Sequence, residues 1–322
     1  MPTTNDFARR TFLAAATAAA TSTAKAQLAD IPIIDTHVHL YDTTRPQGVP
    51  YPTGANTTTM PPKALPAVYR SVAQSLGIVG AIELEASPWI EDNLWILETI
   101  APDSLFVGTI GNLEPEKPEF TEYLARYRKN KLFLGIRCGN LWGRNLAAQV
   151  EMPQFIAGIE QLAAAGLTMD SANPSMALIE SLVKLTAKVP TLRVVIDHLP
   201  SFPLPTDAAQ LRAYEANLRE LRKRNVFTKF SAIVRRVNGQ PQLDPAFYKD
   251  TLDFLFEIWG EDRVVYGSDW PNSAGNWYTY QQALAIVKPY FMAKGRAAAE
   301  KYFWRNSVAA YKWIKRDPSQ PV

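Results

Sequence analysis

Eight short apolar runs, separated by longer amphipathic stretches, constrain the fold of this chain more than any other feature. They occupy residues 31–40, 79–87, 106–113, 132–139, 167–171, 193–199, 227–233 and 264–268. Helical periodicity fills the intervals at 93–100, 120–129, 154–165, 174–187, 208–224 and 247–259, and returns at 277–287 and 297–313. Strands alternating with helices specify a parallel sheet, and eight such units of roughly 30 residues specify closure into an α/β TIM barrel, (β/α)8. An open doubly wound sheet would ask for G-x-G-x-x-G after the first strand, and none is found there. The 322 residues suit one barrel, with no linker or repeat to divide them. The long connection 41–66, rich in Pro, Gly and Thr, is expected over the barrel mouth.

Charge excludes one class of partner. A formal net charge of +3 without any extended Lys/Arg run gives no sign of a nucleic-acid surface. The single cysteine, Cys138, rules out an intrachain disulfide. The first residues do carry a targeting pattern. Arg9-Arg10-Thr11-Phe12-Leu13, an Ala/Thr-rich stretch and Ala24-Lys25-Ala26 resemble a Tat-type export signal, with cleavage after Ala26. Residues 1–26 are thus expected as signal peptide, 27–322 as the barrel and the periplasm as destination. No later segment has the roughly 18 uninterrupted apolar residues of a membrane span.

The ends of the runs hold the chemistry. Asp35-Thr36-His37-Val38-His39 closes the first run, Asp197-His198 the sixth, and Ser268-Asp269-Trp270-Pro271 comes directly after the eighth. Strand alternation puts Asp35, His37 and His39 on one face, with Asp35 deeper as an orienting group. In a barrel, all these residues gather at the carboxyl ends of the strands, where barrel enzymes keep their active sites. Arg137 stands at the end of the fourth run. Glu83 and Glu85 end the second, and Asp170 lies in the fifth.

The order D-T-H-x-H, D-H-L-P and G-S-D-W-P resembles the amidohydrolase superfamily, specifically its branch of lactonases that includes sugar-acid lactonases, 2-pyrone-4,6-dicarboxylate hydrolase and 4-sulfomuconolactone hydrolase. The resemblance runs from about residue 31 to 310. It implies a hydrolase that opens an anionic lactone with an activated water. His37, His39 and Asp269 suit one divalent metal ion, Zn2+ by donor chemistry. Asp269 is the candidate base, and His198 the group that stabilises or protonates the developing oxyanion. Arg137 replaces the bridging lysine of binuclear members, and the fifth run lacks a metal-binding histidine, so one metal is expected at most. Its fourth ligand is then Glu85, Asp170 or water. Some relatives with this reduced set work without metal, the histidines polarising the carbonyl instead.

Arg137, Arg144 and Arg235 are the candidate substrate anchors, because a guanidinium fork grips carboxylate or sulfonate oxygens. Trp142, between Gly139 and Arg144, is the candidate wall for a planar ring. Other reactions on this scaffold are metal-dependent decarboxylation and lactone isomerisation. A non-catalytic periplasmic binder of organic acids is the reading from another class.

Overall fold

The computed structural model describes residues 31–54 and 56–322. The expected signal peptide, residues 1–26, and the start of the mature chain lie outside them. Eight parallel strands form one sheet in sequence order: β1 (Ile33–Val38), β2 (Ile78–Leu84), β3 (Phe106–Gly111), β4 (Phe133–Gly139), β5 (Thr168–Ala172), β6 (Arg193–Ile196), β7 (Val226–Phe230) and β8 (Val264–Tyr266). The two edges meet just beyond β8. Val38 and Trp270 form a parallel bridge, His39 N–H donates to Trp270 O at 2.8 Å, and Asp269 N–H donates to His37 O at 2.9 Å. The result is a nearly closed α/β barrel of the TIM type, as the eight runs require.

Among the described residues eight longer helices cover the outside: α1 (Pro66–Ala73), α2 (Asp92–Ile100), α3 (Phe120–Tyr127), α4 (Pro153–Ala164), α5 (Met176–Lys188), α6 (Ala208–Arg222), α7 (Lys249–Trp259) and α8 (Tyr280–Ala293). Local chemistry sets their starts. Pro66 and Pro153 occupy first-turn positions, where no N–H is needed. Asp207 caps α6, and Thr279 with Gln282 forms a capping box at α8. That box moves the start of α8 from the expected 277 to Tyr280. Helix α1 was not among the expected helices; it buries Tyr69 and Ala73 against the barrel.

Several strands end before the expected residue. The sixth stops at Ile196 and the seventh at Phe230, because His198 and Ala232 adopt left-handed φ of 52° and 46° and turn the chain out of the ladder. The final helix is not the outer element that the pattern 297–313 suggests. It breaks into Arg296–Glu300, a π turn over Lys301–Arg305 and α9 (Asn306–Tyr311). Asn306 donates to Val264 O, and Thr168 to Ala310 O, both at 2.8 Å. Since Thr168 and Val264 begin their strands, α9 closes the amino end of the barrel. Ala310, Tyr311 and Trp313 complete an inner core with Ile34, Leu84, Val107, Leu134, Val195, Phe227 and Val265. Among the described residues no helix is long and apolar enough to cross a membrane.

Candidate active site

Strand β1 does not alternate as expected. Its pairing with β2 shifts register between Asp35 and Val38, and the irregularity turns Asp35 to the helix layer while His37 faces the barrel axis. The Asp35 carboxylate accepts from Tyr69 of α1 at 2.8 Å, Tyr280 of α8 at 2.5 Å, Ser268 N–H at 2.8 Å and His37 N–H at 3.1 Å. Asp35 therefore ties β1 to the loop after β8 and does not touch either imidazole. Gly267 gives His37 its space, since a Cβ there would meet His37 Cβ at 2.8 Å.

Three imidazoles converge on one carboxylate oxygen. Asp269 Oδ1 lies 3.3 Å from His39 Nε2, 3.6 Å from His37 Nε2 and 3.7 Å from His198 Nε2. The His37 and His39 Nε2 atoms are 3.2 Å apart. Asp269 Oδ2 is anchored by Ser273 Oγ at 2.5 Å and Asn272 Nδ2 at 3.0 Å, whereas the buried Oδ1 has no hydrogen-bond partner. Asp269 and His198 both hold left-handed backbone, at φ 59° and 52°, a conformation rare outside glycine and frequent at functional positions.

Hydrogen bonds behind the rings determine which nitrogen faces the mouth. His39 Nδ1 meets Leu84 O at 2.9 Å; a carbonyl only accepts, so Nδ1 carries the proton and Nε2 presents a lone pair. That lone pair faces the unpartnered Asp269 Oδ1. Two imidazoles and a carboxylate whose ligand atoms lie within 4.8 Å of one another, with an orphaned oxygen among them, are a donor set that fits one divalent ion of zinc type. Glu85 and Asp170, the residues expected to compete for a fourth position, stand apart from this cluster. Glu85 takes Trp142 Nε1 at 2.9 Å and faces Arg137 Nη1 at 3.8 Å. Asp170 takes Tyr311 OH at 2.9 Å and Lys229 Nζ at 2.6 Å.

Burial and charge set the protonation states. Burial lowers His198 to about 4, so it is neutral at pH 7. Burial, with the Lys229 charge behind it, pushes His37 well below the usual imidazole range. Burial alone would raise Asp269, but His198, His39 and His37 together hold it below the ordinary carboxylate range. Asp170 goes the other way, raised by burial to about 7.

The expected substrate anchors divide. Arg137 lies at the mouth, its Nε bound to Asp197 Oδ2 at 2.9 Å. Arg144 donates to Asn112 Oδ1 at 2.8 Å and leaves its buried Nη2 unpartnered. Trp142 reaches the same place through Glu85. Arg235 is drawn elsewhere, bonded to Pro200 O at 2.9 Å, where it joins two loops. Glu83 is also out of reach; it takes Thr109 Oγ1 at 2.5 Å. The 41–66 connection does reach the site: the Tyr51 ring sits 5.7 Å from that of His39, and Arg45 pairs with Asp92 at 2.8 Å.

Sequence reasoning missed Lys229 and gave Asp197, noted beside His198, no role of its own. Lys229 is fully buried in β7, 2.9 Å from Asp197 Oδ1 and 3.2 Å from His37 Nδ1. Its signal was a lysine two residues from Phe227 in an apolar strand, on the face that lines the barrel. Ser231 was also missed; its Oγ lies 2.7 Å from His198 Nδ1.

Comparison with known proteins agrees with this fold. L-fucono-1,5-lactonase of Burkholderia ambifaria is 24% identical over 269 residues, 78% of this chain and 85% of the relative. A zinc-bound amidohydrolase from Burkholderia multivorans superposes with a TM-score of 0.75 at 20% identity, covering 88% of this chain and 100% of that one. A probable 2-pyrone-4,6-dicarboxylic acid hydrolase from Acinetobacter baumannii, solved with citric acid, gives 0.67 at 17% identity, covering 87% and 99%. The family model described as amidohydrolase matches residues 34–313, and the chain belongs to the amidohydrolase family of enzymes.

Proposed function

We propose that the chain hydrolyses a lactone by direct attack of water. The observation that carries this reading is the convergence of three imidazole nitrogens on the unpartnered Asp269 Oδ1 at the carboxyl end of the barrel. Asp269 takes a proton from the attacking water at Oδ1, while Ser273 and Asn272 hold Oδ2 still. His198 faces the same point. With Ser231 donating to Nδ1, its proton rests on Nε2, where it donates a hydrogen bond to the carbonyl oxygen as charge develops. A ring held neutral down to about pH 4 serves as donor rather than as acid. The ring C–O bond then breaks, and the proton held by Asp269 passes to the departing alkoxide. A divalent ion, Zn2+ by the donor set of His37, His39 and Asp269, would polarise the carbonyl and acidify water.

The substituents of the ring face Arg137, Glu85 and Trp142. A carboxylate beside a guanidinium and an indole N–H offers acceptors as well as donors, which suits a hydroxylated, sugar-type lactone. The L-fucono-1,5-lactonase relative supports the same substrate class. The second reading is an anionic lactone of muconolactone or pyrone-dicarboxylate type, favoured by Arg137 and by the unpartnered Arg144 Nη2. The twin-arginine segment at Arg9-Arg10 supports periplasmic delivery, tested by the mature N-terminus found after expression.

The deciding experiment is turnover of a panel that pairs neutral aldonolactones with muconolactones and pyrone dicarboxylates. Metal content is measured on the same sample before and after chelation. Hydrolysis of neutral members supports the first reading, and of anionic members alone the second. Loss on chelation with recovery in Zn2+ supports the metal, whereas activity in metal-free protein assigns carbonyl polarisation to the histidines. No hydrolysis, with CO2 released from an aromatic acid, would replace lactone opening by decarboxylation. Ring rearrangement without water uptake would replace it by isomerisation. Tight organic-acid binding without turnover would replace it by a binding role.

A further inference from the structure

Behind His37 lies a charged cluster that lactone opening leaves unused. Lys229 Nζ donates to Asp170 Oδ2 at 2.6 Å, pairs with Asp197 Oδ1 at 2.9 Å and reaches His37 Nδ1 at 3.2 Å, with the Tyr311 ring 5.5 Å away. All of these side chains are fully buried or nearly so. The amine donates to Asp170 and pairs with Asp197, so what it turns toward His37 Nδ1 is an N–H donor. His37 Nδ1 must then accept, and the single proton of the neutral ring sits on Nε2, aimed at the His39 Nε2 lone pair 3.2 Å away. His39 passes the series on to Leu84 O. Every member from Lys229 to Leu84 is satisfied, but His37 offers an N–H where a metal needs a lone pair.

The other arrangement is also built in. Asp197 Oδ1 stands 3.5 Å from His37 Nδ1 and, despite the nearby ammonium, receives no hydrogen bond. A proton moved to Nδ1 would find an acceptor there and free Nε2 for a metal, in the carboxylate–histidine–metal order that metalloenzymes use. We propose that Lys229 is a positioning residue that holds His37 in the Nε2–H form, and that metal capture requires His37 to change partners from Lys229 to Asp197. The proposal rests on the metal reading of this site. Its first readout, however, needs neither substrate nor turnover, so failure of the lactone panel leaves it testable.

The chain has three histidines, so the ring nitrogens of 15N-histidine-labelled, tag-free protein give three resolvable patterns in two-bond 1H–15N correlation spectra, assigned with single-histidine variants. The expected result is His37 as Nε2–H in metal-free protein and as Nδ1–H after zinc is added. An Nδ1–H ring before zinc overturns the proposal, as does an unchanged Nε2–H ring in zinc-loaded protein. Zinc affinity, read by competition with a chromophoric chelator, supplies the second test. Lys229→Met is expected to bind zinc on the order of tenfold more tightly. Arg137→Met, which removes an equal charge without touching His37, is expected to shift it less. Equal shifts in the two variants, or no tightening in Lys229→Met, refute the role. Should Lys229→Met fail to fold, Lys229→Gln with Asp170→Asn removes the ammonium together with one of its buried counter-ions and is read the same way.

Discussion

Asp269→Asn isolates the base from the scaffold. Because Ser273 and Asn272 both donate to Oδ2, the asparagine oxygen takes that position and the amide NH2 falls where Oδ1 stood. That point lies 3.3 to 3.7 Å from three imidazole nitrogens. A donor replaces the carboxylate oxygen that would take a proton from water, while Ser273 and Asn272 still hold the other end of the side chain. Loss of a general base costs roughly 10²- to 10⁴-fold in rate, about 3–5 kcal/mol of transition-state stabilisation. The expected outcome is kcat on the favoured lactone reduced about a thousandfold, with KM changed far less and the thermal midpoint within a few degrees of the parent. Initial rates by pH indicator, with calorimetry on the same preparation, make the measurement. A kcat within tenfold of the parent, in a folded variant, would refute Asp269 as base.

The same network makes other substitutions informative. Asp35→Ala strands four donors that meet its carboxylate and is expected to cost about 3 kcal/mol or more; a urea midpoint equal to the parent would remove Asp35 as the tie between β1 and β8. His198, lowered by burial to about 4, stays neutral in the folded chain while the unfolded chain takes up a proton near pH 6.5. Stability is therefore expected to fall as pH drops from about 6.5 to about 4, by roughly 3 kcal/mol from this residue, and His198→Gln should flatten that part of the stability–pH curve. Gly135→Ala would place Cβ 2.0 Å from Thr168 O on the neighbouring strand and is expected to lower stability by about 3 kcal/mol or more or to prevent folding; a normal denaturation curve would contradict that close approach. Arg137→Ala should raise KM at least tenfold, whereas Arg235→Ala, whose guanidinium serves Pro200 O, should leave KM within about twofold.

The strand order and the barrel were legible because each strand carries its own apolar signature and every outer helix but α1 its own period. The mouth was legible for the same reason: His37, His39, His198 and Asp269 sit where apolar runs end, and strand ends share one rim. Asp35 was misplaced because alternation is a rule for regular pairing, and the register shift beside it leaves no trace in residue types. Arg235 was read as an anchor because its position after β7 is right; its orientation depends on a carbonyl in another loop. Lys229 escaped because a charge inside an apolar run looks like an interruption until Asp170 and Asp197, from neighbouring strands, are seen around it. The final helix pattern ran unbroken in the sequence, yet the π turn at Lys301–Arg305 redirects the last helical turns into the barrel.

That redirected segment links assembly to the order of synthesis. Tyr311 hydrogen-bonds Asp170, Asp170 binds Lys229, and Lys229 braces His37, so the floor of the site is completed by a residue that leaves the ribosome long after the histidine pair. The helices and strands before it are able to dock as they emerge, but the support behind the histidine pair is complete only once α9 has followed them. A nascent chain that has not reached α9 therefore carries the Asp170–Lys229–His37 series without the Tyr311 hydroxyl that closes it, and the finished floor of the site waits on that segment.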